Sequence, residues 1–102
     1  MSTTPEGKVK AKITALLRSY EPACYFDMPV PCGYGKPTLD YVGGYLGSAF
    51  AVEAKAPGKK PTTRQETTIE NMETAGYYVL VIDGTNGGLE LLSQWLERMA
   101  GI

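Results

Sequence analysis

Residues 38–55 read TLDYVGGYLGSAFAVEAK, and the order of glycines, apolar residues and charges in this stretch decides the fold. Residues 38–42 and 48–55 both have strand character, and the connection between them contains three glycines typical of a hairpin turn, Gly43, Gly44 and Gly47. Because successive side chains of a strand point to opposite faces, every second residue shares a face. One face is predicted to carry Ala49, Ala51, Glu53 and Lys55, and the other Phe50, Val52 and Ala54. Alanine leaves space beside the two charged side chains.

The segments around this hairpin predict an α/β fold with the order α-β-β-β-α-β-α. Apolar residues at helical spacing indicate helices over residues 5–19, 62–76 and 89–99, and apolar runs indicate strands over residues 23–30 and 77–83. The last run is continuous, as in a strand that is covered on both faces. We expect residues 48–83 to form a right-handed parallel crossover in a mixed sheet with helices on both faces.

Local signals predict where the first two helices begin and end. Thr4 can cap the first helix, with Pro5 in its first turn. Thr63 and Glu66 have the spacing of a capping box for the second helix, and Gly76 is placed as its C-terminal stop.

Composition limits the class of protein. The chain has 102 residues, which suits a single domain, and its lack of histidine excludes imidazole from catalysis and metal binding. Cys24 and Cys32 lack CxxC spacing and are predicted to be free thiols. There is no apolar run of membrane-spanning length, and the first ten residues lack the apolar core of a signal peptide. We therefore expect no membrane association and a cytoplasmic location.

Charge is distributed unevenly along the chain although the net charge is only −1. Residues 1–64 carry nine Lys and Arg against five Asp and Glu, giving +4, whereas residues 65–102 carry one against six, giving −5. A domain polarised in this way can present a basic face to phosphates.

Asp40 and Glu53 are the residues best suited to bind a metal ion or take part in catalysis. If residues 38–42 and 48–55 pair about the glycines, Asp40 lies across from Glu53. Two neighbouring carboxylates repel unless a cation lies between them, and hard oxygen ligands suit Mg²⁺ or Mn²⁺. Lys55 alongside can position a water molecule or stabilise charge on a phosphate. A Glu and a Lys on the solvated face of a strand are also common, and these residues alone leave that alternative open.

Two further polar residues occupy positions where apolar ones are expected. Gln65 belongs to the stripe that continues through Ile69 and faces the sheet, and Glu6 extends the buried stripe of the first helix toward its N-terminus. Glu6 could instead favour the positive end of the helix dipole, and Gln65 could be a partly exposed residue of the first turn.

In this order the residues resemble the PD-(D/E)XK nuclease superfamily, and within it the virus-type replication-repair nuclease (VRR-Nuc) domain, especially its small stand-alone phage members. The likeness covers residues 5–83 and consists of Glu6, Pro37 with Asp40, Glu53-Ala54-Lys55, Arg64-Gln65 and the AGYYVLVID strand at 75–83. In the family the proline and aspartate are usually adjacent, whereas Thr38 and Leu39 separate them here.

The resemblance implies a restriction-endonuclease-like core and Mg²⁺- or Mn²⁺-dependent cleavage of DNA, with four-way (Holliday) junction resolution as the specific activity. It implies metal ligation by Asp40, Glu53 and the carbonyl of Ala54, with Glu6 as a supporting acid. Lys55 would be the catalytic lysine, and Gln65 would orient the site. The cations just beyond these residues, which would suit a DNA backbone or simply face solvent, are Lys59, Lys60 and Arg64.

Resolving a junction takes two symmetric incisions, so we expect a homodimer, with the apolar last helix and the acidic segment beyond residue 65 as its contact surface. Three alternatives stay open: a nickase or flap nuclease of the same fold, a catalytically silent DNA-binding or interaction protein, and an unrelated structural protein.

Overall fold

The computed structural model describes residues 4–30 and 35–101, which form three helices and a four-stranded mixed sheet. The elements in chain order are α1 (Pro5–Arg18), β1 (Cys24–Asp27), β2 (Tyr41–Tyr45), β3 (Ser48–Ala54), α2 (Thr63–Thr74), β4 (Tyr78–Ile82) and α3 (Gly88–Met99). The predicted α/β class and the order α-β-β-β-α-β-α are confirmed. Cys24 is a free, buried thiol, and Cys32 lies outside the described residues.

The sheet has the strand order β1-β2-β3-β4. β1, β2 and β3 are antiparallel neighbours, and β4 runs parallel to β3, so α2 forms the predicted crossover between parallel strands. β4 contacts α2 and α3, which explains its continuous apolar sequence. It is nevertheless an edge strand, and most of its residues are only half-buried.

One face of the sheet, here called the core face, packs against α1 and α3. Phe50, Val52 and Ala54 lie on this face, as the alternation predicted. The helix residues packed against them are Val9, Ile13 and Leu17 of α1 and Leu92, Trp95 and Leu96 of α3. The apolar side of α3 is therefore used inside the fold, which removes it as the predicted dimer surface and leaves only the outer side of that helix.

The bounds of the first strand of the hairpin differ from the prediction. β2 spans residues 41–45 rather than 38–42, so Gly43 and Gly44 lie inside the strand, and the turn consists of Leu46 and Gly47 with φ of 50° and 87°. Both turn residues have positive φ, as a two-residue type I′ turn requires, but leucine at the first position hides the usual Asn-Gly signal. Gly43 is needed for another reason, because a Cβ there would lie 2.4 Å from the carbonyl oxygen of Tyr25.

The strand and helix ends show two further corrections. β1 has only four residues, whereas a strand over 23–30 was predicted. The capping box of α2 is formed by Thr62 and Gln65 rather than by Thr63 and Glu66. Both pairs have the right spacing, and the structure uses the pair whose glutamine also contacts the sheet. The expected cap at Thr4 and stop at Gly76 are present, with Gly76 at φ 101°.

In the part of the chain that is described, no helix combines the length and apolar character needed to cross a bilayer.

Candidate functional site

Asp40 and Glu53 meet at the open end of the β2–β3 hairpin. Tyr41 pairs with Val52, so the next pair outward places Asp40 opposite Glu53. The backbone N–H of Asp40 donates to Glu53 Oε1 at 3.3 Å, and the backbone N–H of Ala54 donates to Asp40 Oδ2 at 2.9 Å. The hairpin register therefore brings together two of the residues that sequence reasoning selected.

Glu53 is a buried acid whose charge is poorly compensated. Only 4% of the residue is exposed. Burial, and secondly the negative charge of Asp40, raise the pKa of Glu53 to about 7, against the smaller opposing effects of Lys55 and the Asp40 N–H. A carboxylate held in such a place stores electrostatic repulsion that a bound cation can relieve.

Gln65 and Lys55 contact the same oxygen of Glu53. Gln65 Nε2 donates to Glu53 Oε2 at 2.7 Å, and Lys55 Nζ lies 3.9 Å from that oxygen. The other end of the Gln65 amide accepts from the N–H of Thr62 at 3.0 Å, so its orientation is fixed. The amide thus links the N-terminus of α2 to the acid on β3, which explains a polar residue on the sheet-facing side of this helix.

α1 contributes two charged residues from the other side of the sheet. Glu6 forms an ion pair with Lys10 at 3.4 Å, and Lys10 Nζ also lies 3.8 Å from Asp40 Oδ1. Burial lowers the pKa of Lys10, but Asp40 and Glu6 outweigh it, and the net shift is upward. The Tyr41 hydroxyl donates to the carbonyl of Lys10 at 2.9 Å and so holds α1 against β2.

Sequence reasoning did not place Lys10 at the site. The i,i+4 spacing of Glu6 and Lys10 was the available signal, but the contact with Asp40 depends on how α1 crosses the sheet.

The donor set around Asp40 and Glu53 fits a hard cation, although only in part. Within residues 4–30 and 35–101, no three Asp, Glu, Cys or His side chains form a group able to hold a metal ion. Two carboxylates are present, however, and a backbone oxygen can join them. The N–H of Ala54 points to Asp40, and in an extended strand the carbonyl of the same residue points the same way. Glu6 is paired with Lys10, and its role as a supporting acid stays a prediction.

Asp83 is a second buried acid, and sequence reasoning missed it. It follows β4, is 7% exposed, and accepts hydrogen bonds from Gly58, Thr85 and Asn86. The backbone N–H of Thr85 is the main cause of a lowered pKa at Asp83. The signal was the Asp-Gly-Thr-Asn sequence at 83–86, in which an aspartate accepts from the residues that follow it.

The hydrogen bond from Gly58 to Asp83 ties down the loop between β3 and α2, which carries exposed Lys59 and Lys60. Arg64 is exposed at the second position of α2, beside Gln65. The three residues predicted to contact DNA therefore follow the Glu53–Lys55 segment directly and face solvent.

No protein-family model matches this chain, and no curated protein matches it in sequence. The likeness to VRR-Nuc nucleases therefore rests on the residues and on the arrangement described above, and family membership stays a prediction.

Proposed function

We propose that this protein is a metal-dependent DNA endonuclease of the PD-(D/E)XK type that hydrolyses phosphodiester bonds. One observation carries the proposal: Asp40, just before β2, and Glu53 on β3 converge at the end of the hairpin, with Lys55 3.9 Å from Glu53. Burial of Glu53 next to a second carboxylate is destabilising, and a metal ion bound between the two carboxylates would neutralise their repulsion.

Asp40, Glu53 and the carbonyl of Ala54 would hold Mg²⁺ or Mn²⁺, which supplies charge neutralisation at the phosphate and a more acidic bound water. Lys55 would donate to an oxygen of the attacked phosphate or to the attacking water. Gln65 holds the Glu53 carboxylate in one orientation through its 2.7 Å hydrogen bond. Lys10 balances Asp40 from the α1 side.

DNA would approach along the cations that follow the site, Lys59, Lys60 and Arg64, which would contact phosphates rather than bases. Selectivity is proposed to come from DNA shape, with the four-way junction as the favoured substrate. We place this activity in the cytoplasm, which is the host cytoplasm if a phage encodes the protein.

A homodimer is part of the proposal, because two symmetric incisions need two related sites. With the apolar side of α3 used in the core, the remaining surface for it is the outer side of α3, where Leu91 is 48% exposed. Light scattering at micromolar concentration should give twice the mass of one chain. A strict monomer that cleaves DNA would favour the nickase or flap-nuclease alternative.

A second candidate, a catalytically silent DNA-binding protein, is favoured by one observation. Lys10 and Lys55 lie 3.8 Å and 3.9 Å from the two carboxylates, so each acid has a cation near it without a metal. The two functions differ in their dependence on metal.

The deciding experiment incubates the protein with labelled duplex, flap and four-way DNA in Mg²⁺, Mn²⁺ or EDTA. Cleavage that needs the metal and disappears in Asp40→Asn supports the nuclease, and Glu66→Gln, an exposed acid on α2, is the matched control. DNA binding without cleavage in either metal would select the silent protein instead.

A further inference from the structure

Two grooves run along α2, and their charges are opposite. The groove toward residues 36–42 has a volume of about 750 Å³, and the charged residues among its described lining are Lys36 and Arg64. The groove toward β4 has a volume of about 460 Å³, and its charged described residues are Glu66 and Glu70. A polyanion would therefore enter the first groove, here called the α2 groove, and be repelled from the second.

The interior of the α2 groove combines apolar and neutral polar groups. Val42, Met72 and Tyr77 supply apolar surface, and Thr38 and Asn71 supply hydroxyl and amide groups. An inorganic phosphate would use the cations and leave the apolar surface unused. A nucleotide would use both, because its base has apolar faces and a polar edge while its phosphate is anionic. The volume lies in the range of about 300–1,000 Å³ that is usual for sites that enclose small ligands.

The α2 groove opens next to the candidate site. Thr38 is two residues before Asp40, and Arg64 precedes Gln65, whose amide contacts Glu53 at 2.7 Å. A strand whose phosphate lies at Asp40 and Glu53 would therefore pass its next nucleotides over or into this groove.

We propose that the α2 groove holds unpaired nucleotides of the DNA strand beside the cleaved bond, with phosphates on Lys36 and Arg64 and a base against Met72 and Tyr77. The proposal rests on the nuclease function and adds the substrate feature that it selects. A base inside a duplex presents only its edge and cannot enter such a groove, whereas one at a branch point or on a single strand can. Selectivity for branched DNA would then follow without any reading of sequence.

The test measures binding in EDTA, where no metal-dependent cleavage takes place. Fluorescence anisotropy compares a labelled single-stranded oligothymidine with a blunt duplex, for the full chain and for Ala75→Trp. Ala75 is exposed, lines the α2 groove and has helical backbone angles, so tryptophan should fill the groove without disturbing the fold. The expected result is a loss of about tenfold in single-strand affinity, with duplex affinity changed by less than about twofold.

Two further variants control the test. Thr74→Trp adds the same side chain at the neighbouring exposed position, outside the described lining of the groove, and should leave single-strand binding unchanged. Lys36→Glu combined with Arg64→Glu should weaken single-strand binding. The slope of log affinity against log salt concentration should fall by the equivalent of about two phosphate contacts, whereas Arg98→Glu on α3 should change neither quantity.

Equal single-strand affinity of Ala75→Trp and Thr74→Trp would overturn the α2 groove proposal, even if the protein cleaves DNA. Groove-dependent binding in a protein that never cleaves would instead overturn the nuclease function and retain the groove as a single-strand site. The two failures are therefore distinguishable.

Discussion

Glu53 and Asp83 are two buried acids near the same end of the sheet, and they have opposite electrostatic surroundings. Glu53 pairs with Val81 across the parallel β3–β4 ladder, and Asp83 lies just past the end of β4. Their exposed fractions are similar, 4% and 7%. Burial alone therefore does not separate a structural acid from a functional one.

The difference lies in the groups that surround each carboxylate. Asp83 accepts three backbone N–H bonds and one hydroxyl bond, led by Thr85, and its pKa is lowered. Glu53 is penalised first by burial and then by Asp40, and its pKa is raised to about 7. Four donors make Asp83 part of the scaffold, whereas Glu53 is held in a strained electrostatic state that a cation or a proton relieves.

The largest expected effect concerns cleavage and involves only the Glu53 region. Lys55→Ala should lower the single-turnover cleavage rate by more than about 10³-fold, since a donor aimed at transition-state charge is removed. Stability and DNA affinity should change little. Lys12→Ala, an exposed lysine on α1 outside the proposed site and DNA contacts, is the control and should retain most of the activity. Turnover of Lys55→Ala at the wild-type rate would leave Lys55 as a charge partner of Glu53 with no part in cleavage.

The next effect concerns stability and involves Asp83. Asp83→Ala should lower the Tm by roughly 10 °C or more at pH 7, because four donors lose their partner and the loop carrying Gly58 is released. The lowered pKa gives the sign with pH: the contribution is present above the unfolded value of about 4 and is lost as pH falls through the folded value. The Tm difference from wild type should therefore shrink in acid. Asp27→Ala, an exposed acid on β1, is the control and should change the Tm little at either pH.

A fall of only a degree or two at pH 7 would contradict the structural role of Asp83 and remove the contrast with Glu53.

Much of this fold was predictable because it depends on local patterns. Alternation assigned Phe50 and Glu53 to opposite faces correctly, since a two-residue period does not depend on where a strand starts. The same reasoning misplaced β2 by three residues, because Gly43 resembles a turn residue. Glycine is required there because the backbone of β2 approaches the carbonyl oxygen of Tyr25 closely.

The site was predictable to the extent that it lies on one hairpin. Asp40 and Glu53 are brought together by strand pairing, which the sequence indicates. Lys10 and Asp83 were missed because their contacts depend on helix crossing and on a loop held from a distant strand. Tertiary contacts of this kind cannot be recognised from the spacing of residues in the sequence.

A smaller effect tests the sign of the Glu53 penalty. In EDTA at pH 8, Glu53→Gln should raise the free energy of unfolding by about 1–2 kcal/mol, because a buried charge is removed while one hydrogen bond is compromised. The raised pKa sets the pH range: the contribution of Glu53 to stability is greatest below the unfolded value of about 4.5 and falls as pH rises to about 7, where Glu53 ionises in the folded state. Urea unfolding at pH 5 should therefore show no gain in the free energy of unfolding for the variant.

The control is Glu66→Gln, which changes an exposed acid and should show no gain at either pH. A destabilised Glu53→Gln at pH 8 would mean that the Glu53 charge is as well compensated as that of Asp83.

The smallest effect connects the comparison to metal binding without relying on activity. Mn²⁺ at about ten times its dissociation constant should stabilise the wild type by about 1.4 kcal/mol, seen as a rise in Tm. Asp40→Asn and Glu53→Gln should lose this rise, whereas Asp83→Ala should keep it, although its starting Tm is lower. Because a metal must displace the proton that Glu53 retains up to pH about 7, the rise at one fixed Mn²⁺ concentration should be larger at pH 8 than at pH 6. An equal rise in wild type and Glu53→Gln would place the metal elsewhere, and the raised pKa of Glu53 would then describe a buried acid with no ligand to relieve it.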